Sequence, residues 1–304
     1  MEEKKIWEAK EVFSRNNTQQ ILKSKAGDFD KKFYHYTTVD KLMAILKGDK
    51  NGDCFLFCRS IAAMNDESEK KWHKEKSKKI HSFCVCYANH EKIPLWYLYS
   101  GICGNGARIG FPPGKMLALL RSIDTIYPVI GGQIDYATPL KKEEDFSLDC
   151  GWVFYLMDGN NRILYRRKSY AVIPITQSVL KKNYFIKDYP WEYEQEFRLV
   201  ICNKTNVDYE AIAIPLPKKL VPHLEIMSAP ERHFTETEKK KLTSLGVSFN
   251  KIKKSDLGIC MDLLKRNKMD IAAQIDKWCS EEECGNVCAY VRMKNKCGKQ
   301  NGGK

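Results

Sequence analysis

The strongest constraint on the fold is a set of short apolar strings separated by glycine, asparagine and charged turns. They occupy 33–37, 54–58, 81–87, 107–111, 197–201 and 211–216, and each is five to seven residues long. Strings of this length, rich in aromatic and β-branched residues, read as strands. Further strands are expected near 126–130 and 152–157. Helical patterns interrupt them irregularly. One covers 40–47, capped by Thr37 or Thr38 and stopped by Gly48. A lysine-rich one runs over 65–79, an aromatic one starts at Pro94, and another covers 115–121. Strands and helices without regular alternation indicate α+β rather than a doubly wound parallel sheet. The expected architecture is a mostly antiparallel split sheet with helices packed outside and a cleft floored by the His35 strand.

Charge and cysteine usage narrow the class. Lys and Arg total 51 against 38 acids, a net charge of +13, which favours anionic partners. No apolar run reaches the roughly 18 to 20 residues that cross a bilayer, so no membrane partner is expected. The opening MEEKKIWEAKEVFSRN lacks the apolar centre of a secretory signal. The 12 cysteines mostly sit inside apolar strings, as reduced thiols do, and the expected location is the cytoplasm. The glycine-rich turn at 101–106 is neither a P-loop nor GxGxxG; it is a tight connection or an anion-holding turn. Cys279, Cys284, Cys288 and Cys297 lie close together, but their spacing is not a CxxC…CxxC pattern. No metal site is predicted, and zinc at these four thiols stays open.

Three segments combine unusual residue types: Phe33-Tyr34-His35-Tyr36-Thr37-Thr38, Pro94-Leu95-Trp96-Tyr97-Leu98-Tyr99, and Trp191-Glu192-Tyr193-Glu194-Gln195-Glu196-Phe197-Arg198. Singly, each suits a core strand, a core helix or a solvated edge. Together they supply a histidine, stacking surfaces and acids, the groups needed to hold a nucleotide and stabilise a developing cation.

These segments resemble the bacterial family catalogued as a domain of unknown function, DUF 2971. The matching pieces are Tyr34-His35-Tyr36-Thr37, Met64-Asn65-Asp66-Glu67-Ser68-Glu69, Ser82-Phe83, Leu95-Trp96 with Tyr99, Gly106 with Ile109-Gly110-Phe111, and 191–198. They define a core over 32–230, preceded by a helical extension at 1–31 and followed by a helical, cysteine-containing extension at 231–304. More distantly, 33–38 followed by 42–48 is similar to the opening of ADP-ribosyltransferases, where a strand bearing His or Arg precedes a helix ending near glycine. Glu194-Gln195-Glu196 at the head of a strand is similar to their third motif.

That second resemblance implies an ADP-ribosyltransferase-like fold, with NAD as substrate. Glu196 would stabilise the ribosyl cation and Glu194 would orient the acceptor nucleophile. His35 would donate to a ribose hydroxyl, with Tyr36 and Thr37 beside it. Tyr97 or Tyr99 would stack on nicotinamide. Arg198 would bind the pyrophosphate or simply pair with Glu196.

Residues 160–187 carry seven positive charges and no acid, interleaved with Tyr165, Tyr170, Tyr184 and Phe185. This composition suits single-stranded nucleic acid, with Arg162, Arg166, Arg167 and Lys168 as candidate contacts, or a basic strand pair with its aromatics turned inward. The leading expectation is a transferase acting as a toxin or phage-defence effector on nucleic acid or protein, with a neutralising or regulatory protein partner possible. A non-catalytic nucleic-acid-binding module is second. A metal-dependent nuclease is third, because no Asp…Glu-x-Lys core is present.

Overall fold

The computed structural model describes residues 18–48, 53–64, 66–100, 105–157, 162–165, 169–172, 180, 183–230, 232–255 and 257. In chain order the elements are α1 (Thr18–Lys23), β1 (Lys32–Thr38), α2 (Val39–Lys47), β2 (Cys54–Ser60), α3 (Glu67–Trp72), β3 (Ile80–Ala88), α4 (Ile93–Ser100), β4 (Gly106–Phe111) and α5 (Pro113–Arg121). There follow β5 (Thr125–Ile130), β6 (Gln133–Ile134), β7 (Leu140–Lys141), β8 (Phe146–Trp152), β9 (Phe154–Met157), β10 (Arg162–Tyr165), β11 (Ser169–Val172) and β12 (Ile186–Asp188). The last are β13 (Glu196–Asn203), β14 (Ala211–Leu216), β15 (Glu225–Ser228), α6 (Glu236–Ser244) and β16 (Ile252–Lys253). This is an α+β chain with a large, mostly antiparallel sheet; β15–β16 is its parallel pair. A second sheet runs β11-β10-β9-β12.

The first strand and helix show how the sequence builds the frame. β1 is an aromatic and β-branched string, suited to a pleated surface. Thr38 leaves β1 in extended conformation and its Oγ1 accepts the Lys41 N–H, capping α2. Gly48 ends α2 at φ +68°, and a Cβ there would lie 2.0 Å from the Asp53 carbonyl oxygen. Only glycine permits that return. α3 is shorter than its lysine-rich pattern suggested, ending at Trp72. Beyond it Lys74, Lys76, Lys78 and Lys79 offer no apolar stripe to bury.

β3 is the hub. One edge pairs with β13 from Cys86↔Glu196 to Ile80↔Cys202. The other edge is divided: β1 takes its end, as far as Tyr34↔Cys86, and β2 takes Ser82 and His81. The sheet therefore forks at Cys84. One limb continues through β4 and β15, the other through β14 and β5.

The main core fills one face, where Leu42, Ile45 and Leu46 of α2 and Met116, Leu117 and Leu120 of α5 meet Phe33, Phe83, Phe111 and Phe197. Each buried side chain of this kind contributes about 1.5–3 kcal/mol. On the opposite face Leu95 and Trp96 of α4 cover Tyr34, Tyr36 and Cys86. Among the described residues, no helix is long and apolar enough to cross a membrane.

Candidate functional site

Side chains alternate along a strand, and directly paired residues share a face. The pairs Tyr34↔Cys86 and Cys86↔Glu196 thus place Tyr34, Tyr36, Glu196 and Arg198 on one face. His35 turns to the other, where its ring packs on Phe83 at 4.6 Å between centroids. At the fork its Nδ1 donates to the Cys84 carbonyl at 3.1 Å, serving an acceptor that β1 no longer reaches. Burial holds the imidazole neutral, down to about 4, against the opposing effect of that hydrogen bond. In the neutral ring Nε2 is then an acceptor. The structure does not gather His35 with Glu196, and the donor role expected of His35 falls to no free N–H.

The acids do meet, in a buried network. Arg198 Nε donates to Glu196 Oε1 at 2.7 Å and its Nη2 to Oε2 at 3.1 Å. Its Nη1 reaches Glu69 Oε1 at 2.6 Å and the Tyr184 carbonyl at 2.8 Å. Lys187 Nζ lies 2.6 Å from Glu194 Oε2 and 3.4 Å from Glu196 Oε2. The Tyr99 hydroxyl donates to Glu194 Oε1 at 2.6 Å. Tyr155 Oη accepts the Glu196 N–H at 2.8 Å. The side chains of Glu69 and Arg198 are 0% exposed and that of Glu196 is 2% exposed, whereas Tyr99 is 40% exposed.

Local sequence explains this convergence. Glu196 and Arg198 share a face of β13 by alternation. Glu194, two residues before Glu196, does not continue that strand but ends a 3-10 turn, Tyr189–Glu194. Gln195, left-handed at φ +44°, turns the chain between them, so Glu194 comes back to the same lysine through a bend. Glu69 is delivered by α3, whose N-cap Asp66 accepts the Ser68 and Glu69 N–H groups.

The charges differ in consequence. Burial pushes the Glu196 carboxyl up, but Arg198 and then Lys187 outweigh it and bring it down to about 2. For Glu194 burial wins over Lys187, and for Glu69 it wins over Arg198, so both carboxyls are raised. Lys187 and Arg198 are held protonated by these acids despite burial.

The remaining candidates are placed as follows. Tyr36 and Thr37 are buried. The Tyr36 hydroxyl accepts the Lys92 N–H at 3.0 Å, and Trp96 packs edge-on against its ring at 4.9 Å. Tyr36 supports the α4 side, whereas Thr37 alternates onto the face of His35. The side chain of Tyr97 lies outside the described residues, as do Arg166, Arg167, Lys168 and the four late cysteines. Arg162 opens β10, and its side chain is likewise outside the description. Lys187, which the sequence grouped with the basic segment, is buried among acids instead. A hollow of about 330 Å³ opens at the start of β1, lined by Phe29, Lys31, Lys32, Tyr34 and Asn89 among others, and not at Glu196. Among the described residues no group of three or more His, Cys, Asp or Glu is arranged to hold a metal.

Sequence reasoning missed Lys187 and Glu69 as members of the site. Glu69 lay inside a quoted motif, but its partner Arg198 is 129 residues away and nothing local announces the pairing. In comparisons with known proteins, no family model, no curated protein and no solved structure matches the chain.

Proposed function

We propose that the chain is an NAD-using ADP-ribosyltransferase, a toxin or phage-defence effector that modifies nucleic acid or protein. The observation that carries this reading is the Tyr99 ring, exposed and fixed by its hydroxyl to Glu194, beside a Glu196 held ionised. Breaking the nicotinamide–ribose bond needs a surface for the leaving ring and a fixed negative charge for the ribosyl cation. The order β1, α2, Gly48 and the position of Glu196 as the first residue of β13 also support it. His35, packed on Phe83 on the opposite face of the sheet, takes no part in this reading. Lys187 makes its longer contact with Glu196 Oε2, an oxygen that Arg198 Nη2 also holds, so binding of a ribosyl cation there requires both donors to give way.

Nicotinamide release from NAD tests the reading. Glu196→Gln removes a charge aimed at the transition state and should lower the rate about a hundredfold, on the order of 3 kcal/mol, with folding checked by circular dichroism. Equal activity in the variant would move the acid elsewhere.

One observation favours a second reading. Both Glu196 oxygens are already engaged by Arg198 and Lys187, as in a purely structural tie. The chain would then be a non-catalytic nucleic-acid-binding module. Absence of nicotinamide release from the wild type, with nucleic acid and protein acceptors present, selects it.

A further inference from the structure

The buried network holds three carboxylates, Glu69, Glu194 and Glu196, and two cations, Lys187 and Arg198. An unbalanced charge buried this deeply is costly, and the usual remedy is a proton. We propose that the network keeps one exchangeable proton at neutral pH, held between the Glu194 carboxyl and the Tyr99 hydroxyl, and that this pair is a proton-transfer site opening onto the exposed Tyr99 ring.

Hydrogen-bond geometry selects the location. Glu196 receives two guanidinium N–H groups and an ammonium, so both oxygens favour the charged form. Glu69 Oε1 receives Arg198, and its Oε2 has no hydrogen-bond partner among the described residues, so a proton there would find no acceptor. Glu194 differs. Oε2 takes Lys187, while Oε1 lies 2.6 Å from a hydroxyl that can donate or accept. A proton on Oε1 is received by the Tyr99 oxygen, whose own proton then turns away from Glu194.

Of the side chains in the network, only the Tyr99 ring is substantially exposed, while its hydroxyl end is buried against Glu194. When Tyr99 gives its proton to solvent or to a ligand on its ring, Glu194 replaces it and becomes a carboxylate against Lys187. The reverse path returns the proton. The upward shift of Glu194 by burial agrees with this placement. The other groups facing Glu194 are Glu196 from β13, Cys86 from β3, Tyr155 from β9 and Tyr193 from its own turn. Burial raises that thiol and both phenols, so they stay neutral and leave the balance unchanged. Asp66 and Asp188 lie at the margin, engaged by backbone N–H groups and by Ser68 respectively, and as acids they only deepen the negative balance. The proton is held whether or not NAD is the substrate.

Infrared spectra of the full chain in H₂O and D₂O test this through the carbonyl stretch of a protonated carboxyl group. At pH 7 the wild type should show one deuterium-sensitive band, and Tyr99→Phe, which removes only the hydroxyl against Glu194, should keep it at a shifted frequency. Glu194→Gln should lose it. Lys187→Met, one cation poorer, should show two such groups. No band in the wild type would overturn the proposal. An unshifted band in Tyr99→Phe would place the proton elsewhere and overturn it equally. The wild type and Tyr99→Phe decide the matter even where Lys187→Met fails to fold.

Discussion

Arg198→Met removes the cation in direct contact with Glu69. In the wild type Glu69 Oε1 sits 2.6 Å from the guanidinium and Oε2 has no hydrogen-bond partner among the described residues. Without Arg198, Glu69 either stays charged and unpaired, at about 3–5 kcal/mol, or takes up a proton. Protonating a carboxyl with an ordinary value near 4.3 at pH 7 costs about 3.7 kcal/mol, at roughly 1.36 kcal/mol per unit. The two routes agree, so the expected loss at pH 7 is about 4 kcal/mol. The second route fixes the pH dependence. In the variant the folded-state carboxyl is raised above its unfolded value, so its protonated form favours folding at acid pH and penalises it as pH rises. The loss should therefore shrink to about 1 kcal/mol at pH 5. Urea unfolding followed by tryptophan fluorescence at both pH values measures it. Adding Glu69→Gln should restore part of the loss at pH 7. A loss independent of pH, together with a double variant no better than the single one, would show that Arg198 acts through packing and not through charge.

Two further outcomes follow from other parts of the molecule. His35 is held neutral down to about 4, against an ordinary 6.5, so the unfolded chain binds that proton first as pH falls. Stability should be flat above pH 6.5 and fall by roughly 2 to 3 kcal/mol toward pH 4, a slope that His35→Gln flattens in urea titrations. On the nucleic-acid reading, replacing Arg162, Arg166, Arg167 and Lys168 together should lower the salt dependence of single-strand binding by a slope of about 3, measured by fluorescence anisotropy. An unchanged slope would remove these residues from the contact surface.

Local chemistry was readable where it is self-contained. The strand 33–37, its capped helix and the stop at Gly48 follow from aromatic and β-branched residues, a threonine and a glycine, and all are found. So are the strands begun at His81, Ala107 and Phe197, within a residue or two. β8 was missed although Phe146, Leu148, Cys150 and Trp152 alternate inward, because Asp149 and Gly151 interrupt an apolar string. The site was half legible. Alternation gave the pairing of Glu196 with Arg198, and Tyr99 was one of two named tyrosines. Lys187 could not be assigned, since a lysine beside basic residues looks solvated until a fold brings acids to it. Nor could the opposite facing of His35, which depends on which residues of β1 and β3 pair.

The division of β3 between two partners on one edge bears on the order of assembly. β1 reaches β3 across 49 residues at the His35–Cys84 contact, while β13 must bring Arg198 to Glu69 across 129. Loop closure over the longer span is entropically dearer by about 1 kcal/mol, so β3 is expected to gain β1 and β2 before β13 docks. Until then one flank of the hub strand is open and Glu69 is still hydrated. On this order, docking of β13 is the late step and the charge network is expected to seal on the native side of the barrier. Lesions in that seal should leave the refolding limb of a chevron nearly unmoved and steepen escape from the native state, making the protein's lifetime, more than its rate of formation, the quantity that Arg198 governs.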